Sequence, residues 1–229
     1  MRRVVVTGAG RGIGWATSLA FERLGDDVVA LSHADLEVTD EAAVNDVFAG
    51  LGVVDVLVNN AGVAVSAPLD RTTLVAWQHH LAVNATGVFL CARAVLPGMV
   101  DRDEGVIVTV ASTAGLSGAP YTAAYTASKH AAVGLTRAIA AEVAGTGVRA
   151  NAVCPSFVDT ELTERSVERI VDATGRTADE ARRSLERLSP LNRLLRPDEV
   201  AAAVVYLASD AAAAVNGQTL IMDGGGIQA

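Results

Sequence analysis

Six apolar runs of strand length alternate along this chain with amphipathic segments of helix length, and that alternation leaves few folds open. The strand candidates are Val4–Thr7, Val28–Leu31, Val56–Asn59, Val106–Ser112, Val148–Val153 and Thr219–Met222. Helix candidates lie between them at Ile13–Arg23, Glu41–Leu51, Trp77–Val100, Ala123–Ala144 and Asp198–Ser209. Parallel neighbours need a crossover, and a helix supplies it, so repeated βαβ units imply a parallel sheet covered on both faces. The pattern predicts a single α/β domain over residues 1–229, doubly wound, with no repeat, linker or low-complexity tract.

Two stretches break the rhythm. SHADLEVTD, residues 32–40, leaves almost no room for a helix after the second strand. Residues 157–196 form a long polar excursion with helical patches such as TADEARRSLERL, placed between Val148–Val153 and the last helix. Such an excursion is a candidate substrate lid, or else a solvated helical pair covering the sheet edge.

Composition narrows the partners. The net charge is −8 and no basic block occurs, which argues against a nucleic-acid or anionic-membrane surface. Cys91 and Cys154 sit in no ligand-like cluster and read as small buried hydrophobes in a reduced protein. His79 and His80 are adjacent, so they do not share a helix face; they read as surface or interface groups, and no metal site is expected. The N-terminus passes directly into strand-like sequence without a leader, and no uninterrupted apolar run is long enough for a bilayer. The expectation is a cytoplasmic protein.

The first strand runs into a glycine-rich turn. VVVTGAGRGIG places Gly8, Gly10, Gly12 and Gly14, with Arg11 and Ile13 between them, at a strand-to-helix junction. Glycines allow positive φ and close approach of a ligand to the backbone, and a helix start offers free N–H groups to a pyrophosphate. A dinucleotide fold that prefers NAD usually has an acidic residue at the end of the second strand. Here Ser32 and His33 stand there, with Asp35 further on, while Arg11 could pair with a 2′-phosphate. These residues lean towards NADP(H), with NAD(H) possible.

One lysine occurs among eighteen basic residues, at position 129, four residues after Tyr125. That spacing puts both on one helix face. A tyrosine titrates near pH ~10, too high for acid/base work at neutral pH, and a nearby ammonium can lower it by roughly 1–3 units. A compact ammonium can also touch a phenolic oxygen and sugar hydroxyls together, which a planar guanidinium does less well. Ser112 closes the strand VIVTVAS, and Asn59, Asn60, Ala61 and Gly62 follow the strand DVLV; ligands of such sheets lie beyond strand carboxyl ends.

These elements together resemble the short-chain dehydrogenase/reductase family, in its compact one-domain branch with a Rossmann-like sheet. TGAGRGIG (7–14) resembles TGxxxGIG, NNAG (59–62) is a second signature, and Ser112 with YTASK (125–129) matches the Ser and YxxxK elements. Asn84 in HHLAVNATG, NAVCPSFVDT (151–160) and GQTLIMDGGG (217–226) complete the likeness in order. The resemblance implies that Tyr125 is the general acid or base, that Ser112 orients the reacting oxygen, and that Lys129 lowers the Tyr125 pKa and binds a ribose. It implies further that Asn84 holds a relay water. Asn60, Ala61 and Gly62 would flank the adenosine ribose, Glu37 and Val38 the adenine. Pro155, Val158 and Thr160 would cup the nicotinamide, with Val158 and Thr160 on its carboxamide. Assembly as a homotetramer, or a homodimer, is the family's habit.

Ser156 departs from the usual glycine after Pro155, Glu37 from the usual aspartate, and the 32–40 region is shortened. The implied activity is hydride transfer between a nicotinamide cofactor and a carbonyl or secondary alcohol, best matched to a 3-oxoacyl thioester. Alternatives are a secondary-alcohol, sugar or steroid dehydrogenase. A non-catalytic cofactor sensor would typically lack Tyr125 or Lys129, and an extended-branch epimerase would need a larger C-terminal domain.

Overall fold

A computed structural model describes residues 1–228. Its centre is a six-stranded, all-parallel sheet made of β1 (Arg3–Thr7), β2 (Asp27–Leu31), β3 (Val56–Asn59), β4 (Gly105–Val110), β5 (Val148–Pro155) and β6 (Thr219–Met222). The strands lie in the order β2-β1-β3-β4-β5-β6. The direction of winding reverses between β1 and β3, where Val4 pairs with Val56 and Val6 with Val58. Such a reversal opens a crevice beyond the strand carboxyl ends, because the following loops diverge to opposite faces.

The side-chain period of two sorts the strand residues into two cores. Val4, Val6, Val56, Val58, Val108 and Val110 face Phe21 of α1 (Gly12–Arg23) and Val200, Val204 and Leu207 of α8 (Pro197–Leu207). Val5, Leu57, Ile107 and Ala150 point the other way, onto α2 (Glu41–Leu51), α4 (Gly87–Asp101) and α5 (Ala123–Glu142). Each fully buried Val or Leu contributes about 1.5–3 kcal/mol. Both faces being covered, the strands read as continuous apolar runs. Cys91 and Cys154 are buried free thiols within these layers.

The main departure from the sequence expectation lies in one helix. The single helix expected over Trp77–Val100 is α3 (Leu74–Leu81), a π-helical turn at Ala82–Thr86 and then α4. The run Leu74–Asp101 is 28 residues and, by length and composition, apolar enough to cross a membrane, which uninterrupted apolar runs did not reveal. In this fold 44% of its most apolar window is buried inside the protein. Residues 32–40 hold turns and no helix, as their shortness implied, and β2 lies at the sheet edge. The helical patches of the 157–196 excursion fold into α6 (Glu161–Thr174) and α7 (Ala178–Glu186), with Val167, Ala181, Leu185 and Leu194 forming a small core of their own.

Candidate active site

The crevice starts at the glycine-rich turn. Thr7 closes β1, and its hydroxyl accepts from the backbone N–H groups of Asn60 and Ala61, each at 3.1 Å. Asn60 returns its side-chain amide to the carbonyls of Thr7 and Gly8, at 2.9 and 3.0 Å. The two segments are thereby stitched together so closely that side chains would not fit between them. Gly8 has φ +63, and a β-carbon there would stand 2.7 Å from the Ala61 Cα; one on Gly14 would stand 2.4 Å from the Asn60 amide nitrogen. Gly10 lies against Ser32 and Gly12 against Thr160, so the outer surface of the turn is bare backbone. Ile13 turns inward onto the α1–α8 core. Arg11, the residue capping α1, makes no side-chain cap bond, and the first turn carries no acidic residue. Its N–H groups are therefore available to an anion, which fits the pyrophosphate of a dinucleotide.

The end of the crevice beside β2 is acidic. Asp35 Oδ2 accepts from both the Ser32 backbone N–H (2.9 Å) and hydroxyl (2.6 Å), and these bonds hold its carboxyl below the usual range. Glu37 accepts from the N–H and hydroxyl of Thr39 and lies 3.4 Å from the exposed His33 ring. Val38 is buried beneath them. Arg11 does not reach towards this end: its guanidinium pairs with Glu161 in the first turn of α6, which also bonds Arg165.

At the opposite end of the crevice, Pro155 is the last residue of β5 and Val158 forms a one-residue bridge with Leu195. Thr160 caps α6, with its hydroxyl 3.4 Å from the Val158 carbonyl. The Ser156 hydroxyl is buried with no partner among the described residues.

Ser112, Tyr125, Lys129 and Asn84 come together between these ends. Ser112 lies just past β4, where its hydroxyl oxygen accepts from the Ala114 N–H at 3.1 Å and caps the short helical turn Thr113–Gly115. Its own proton is thus free to donate. The half-buried Tyr125 ring lies beside it. Burial raises the Tyr125 pKa, and the hydrogen bond with Ser112 pulls the other way. Lys129 is buried and donates to the Val110 carbonyl at 2.9 Å, with its Nζ 5.9 Å from the Tyr125 ring centre. Burial lowers the lysine to about 8. The sequence expectation that Lys129 lowers Tyr125 is therefore not what dominates in this fold; desolvation acts on both groups and favours the neutral form of each.

Asn84 sits in the π-helical turn and is fully buried. Its amide bonds the Val63 N–H and carbonyl, both at 2.9 Å, and donates to the Ser128 hydroxyl at 2.9 Å. A β-carbon on Gly62 would stand 3.2 Å from Asn84 Oδ1 and 3.6 Å from Lys129 Nζ. Both groups therefore face the same small space over Gly62.

His80 was missed. It is buried, not on the surface; its Nε2 accepts from the Val65 N–H at 2.9 Å and its Nδ1 bonds the Ala76 carbonyl at 2.7 Å. That pair of partners requires the neutral ring with the proton on Nδ1. The ring meets Tyr125 edge-on, with centres 6.4 Å apart. The available signal was its position four residues before Asn84, on the same helix face.

Comparison with known proteins agrees with this geometry. A family model described as "Enoyl-(Acyl carrier protein) reductase" matches residues 33–226. The chain is 37% identical to a D-threitol dehydrogenase of Mycolicibacterium smegmatis, over 96% of this chain and 91% of that one. It is 36% identical to a 3-oxoacyl-[acyl-carrier-protein] reductase of Synechocystis, over 96% and 95%. Among solved structures, an actinorhodin polyketide ketoreductase with NADPH superposes with a TM-score of 0.90 at 31% identity, covering 99% of this chain and 98% of that one. The glycine-rich turn, the Ser-Tyr-Lys-Asn group and these likenesses all converge, and the chain belongs to the short-chain dehydrogenase/reductase family.

Proposed function

We propose that this protein transfers hydride between a nicotinamide dinucleotide and a carbonyl or secondary-alcohol substrate, with Tyr125 as acid/base. The observation that carries the reading is the meeting of Ser112, Tyr125, Lys129 and Asn84 beside the bare glycine turn. The nicotinamide supplies or accepts the hydride when bound; the chain's own groups manage the proton. In reduction the Tyr125 hydroxyl gives its proton to the carbonyl oxygen, and the Ser112 hydroxyl donates to the same oxygen, holding it in place as negative charge develops. Lys129 Nζ offers its remaining donors to ribose hydroxyls. Both amide hydrogens of Asn84 are used, but Oδ1 keeps a lone pair facing the space it shares with Lys129. A water bridging these two groups would return a proton towards Tyr125.

Residues 157–196 act in this reading as the lid, since α6 is tied to the glycine-rich turn through Arg11–Glu161 and to the loop after β3 through Arg169–Ala64. For the substrate, a 3-oxoacyl thioester is the preferred reading, supported by the Synechocystis reductase and the polyketide ketoreductase. A polyol substrate is the second, favoured by the D-threitol dehydrogenase. For the cofactor, NAD(H) is now the better reading than the NADP(H) expected from sequence. Asp35 occupies the Ser32 donors that a 2′-phosphate would need, and Glu37 adds a second carboxylate. Assembly as a homotetramer belongs to the same proposal, with Phe89 and Val100 exposed on α4; light scattering at the mass of one 23.5 kDa chain would end it.

Tyr125→Phe tests the central claim. Ketone reduction should fall by roughly 10²–10⁴-fold, while dinucleotide affinity, measured by fluorescence quenching, stays within a few-fold. Retained turnover would remove Tyr125 from the acid/base role.

A further inference from the structure

Among the described residues, the lid carries one partly buried cation with no carboxylate bonded to it. Arg165 pairs with Glu161, Arg182 with Asp159 and Glu164, Arg193 with Glu199, and Arg196 with Asp198. Arg176, Arg183 and Arg187 are exposed to solvent, which neutralises them cheaply. Arg169, on the third turn of α6, is partly buried and has no carboxylate partner among the described residues. Its Nη2 donates to the Ala64 carbonyl at 3.3 Å and the Ser166 hydroxyl at 3.0 Å, and its Nε is buried with no partner among the described residues.

Its position ties it to the catalytic group. Ala64 lies between Val63, which is bonded by Asn84, and Val65, which is bonded by the His80 that packs against Tyr125. The guanidinium is thus fixed where the lid meets the loop bordering the reaction site. Burial, followed by the like charge of Arg165, disfavours the cation there, with Glu168 a weaker compensation. A guanidinium held half-desolvated without a counter-charge is costly unless an anion completes it.

We propose that Arg169 is a specificity-determining residue that receives an anionic group of the substrate, a carboxylate or phosphate carried on the same molecule as the reacting carbonyl. The proposal rests on the hydride-transfer reading above and narrows its substrate class. It uses Nη1, the one nitrogen of the guanidinium that is neither buried nor bonded among the described residues, as the donor to the anion.

The test compares wild type, Arg169→Met and Arg169→Lys with three probes: acetoacetate, its neutral methyl ester, and acetoacetyl-coenzyme A. Arg169→Met should raise KM for an anionic probe, lowering kcat/KM by roughly 10- to 100-fold with kcat little changed. The methyl ester should be reduced as well by the variant as by wild type, which also shows that the variant is folded. Arg169→Lys should recover part of the loss. Sensitivity with acetoacetate identifies a carboxylate site; sensitivity confined to the coenzyme A thioester identifies a phosphate site. Calorimetric titration of acetoacetate and acetoacetyl-coenzyme A into the cofactor complex separates this proposal from the reading beneath it. An anion that binds only when Arg169 is present, yet is not reduced, upholds the anion site and removes hydride transfer. Equal losses on the ester and the anions, or no anion binding to wild type, overturn the role of Arg169.

Discussion

Lys129 is a buried cation whose one hydrogen-bond partner among the described residues is a neutral carbonyl, that of Val110. Its pKa of about 8 lies below the ordinary 10.5 because burial penalises the charge. Between those values the unfolded chain binds the additional proton, so stability rises as pH increases from 8 to 10.5. The contribution is lost as pH falls through 8, where the folded lysine is charged. Lys129→Met should therefore melt no lower than wild type at neutral pH, and it should lose turnover. Lys129→Arg should lose turnover too, because its larger fork cannot fill the same space, and should melt lower. A Lys129→Met protein that melts well below wild type would contradict the charge-penalty argument. On the proposed role of Lys129 in holding a ribose, dinucleotide affinity should also weaken as pH rises through about 8, as the ammonium is lost. Tyr125, raised by burial, stays protonated through neutral pH, the form that donates to a carbonyl. The identity of both residues was legible in sequence from one lysine in an arginine-rich chain. The direction of their shifts was not, because desolvation depends on what the fold stacks around them.

The helix that carries Asn84 shows what a periodic pattern hides. The apolar period over 77–100 predicts one helix, and helical conformation does run through it. A π-helical turn at Ala82–Thr86 adds a residue to the turn, and such turns recur at functional sites. It places Asn84 where its amide satisfies the N–H and carbonyl of Val63 and meets Ser128. Asn84→Ala would strand those buried groups and should cost about 2–4 kcal/mol. In a chain of this size that lowers Tm by roughly 5–15 °C. A thermal melt unchanged from wild type would show that Asn84 does not hold this loop. β3, α2 and β6 match their sequence boundaries, since turn chemistry marks them: Asp40, for example, caps α2 through the N–H groups of Ala42 and Ala43. The helices α6 and α7 were visible only as patches. Their apolar residues, Val167, Ala181 and Leu185, bury against one another and not against the sheet, so no sheet-derived periodicity announces them.

Across the molecule, the net charge of −8 is unevenly placed with respect to the crevice. The end of the crevice beside β2 presents Asp35 and Glu37, while the arginine of the glycine turn is drawn to Glu161. That exposed ion pair is worth little, so Arg11 alone does not decide the cofactor. In the proposed reading the carboxylates do. NADH should bind wild type more tightly than NADPH, and Asp35→Asn should tighten NADPH by roughly tenfold, the equivalent of about 1.4 kcal/mol. Tighter NADPH binding by wild type, unchanged in Asp35→Asn, would restore the opposite preference. The alternation of apolar runs by itself determined the parallel α/β sheet, because period and crossover length are local properties. The glycine turn, Ser112, Tyr125 and Lys129 were equally local, being fixed by spacing on a strand end or a helix face. Only the tertiary structure decided the partners of Arg11, Arg169 and His80, which lie 150, 105 and 15 residues away in sequence. Their roles depend on which charges and polar groups the folded chain brings within reach, and how much water it leaves around them.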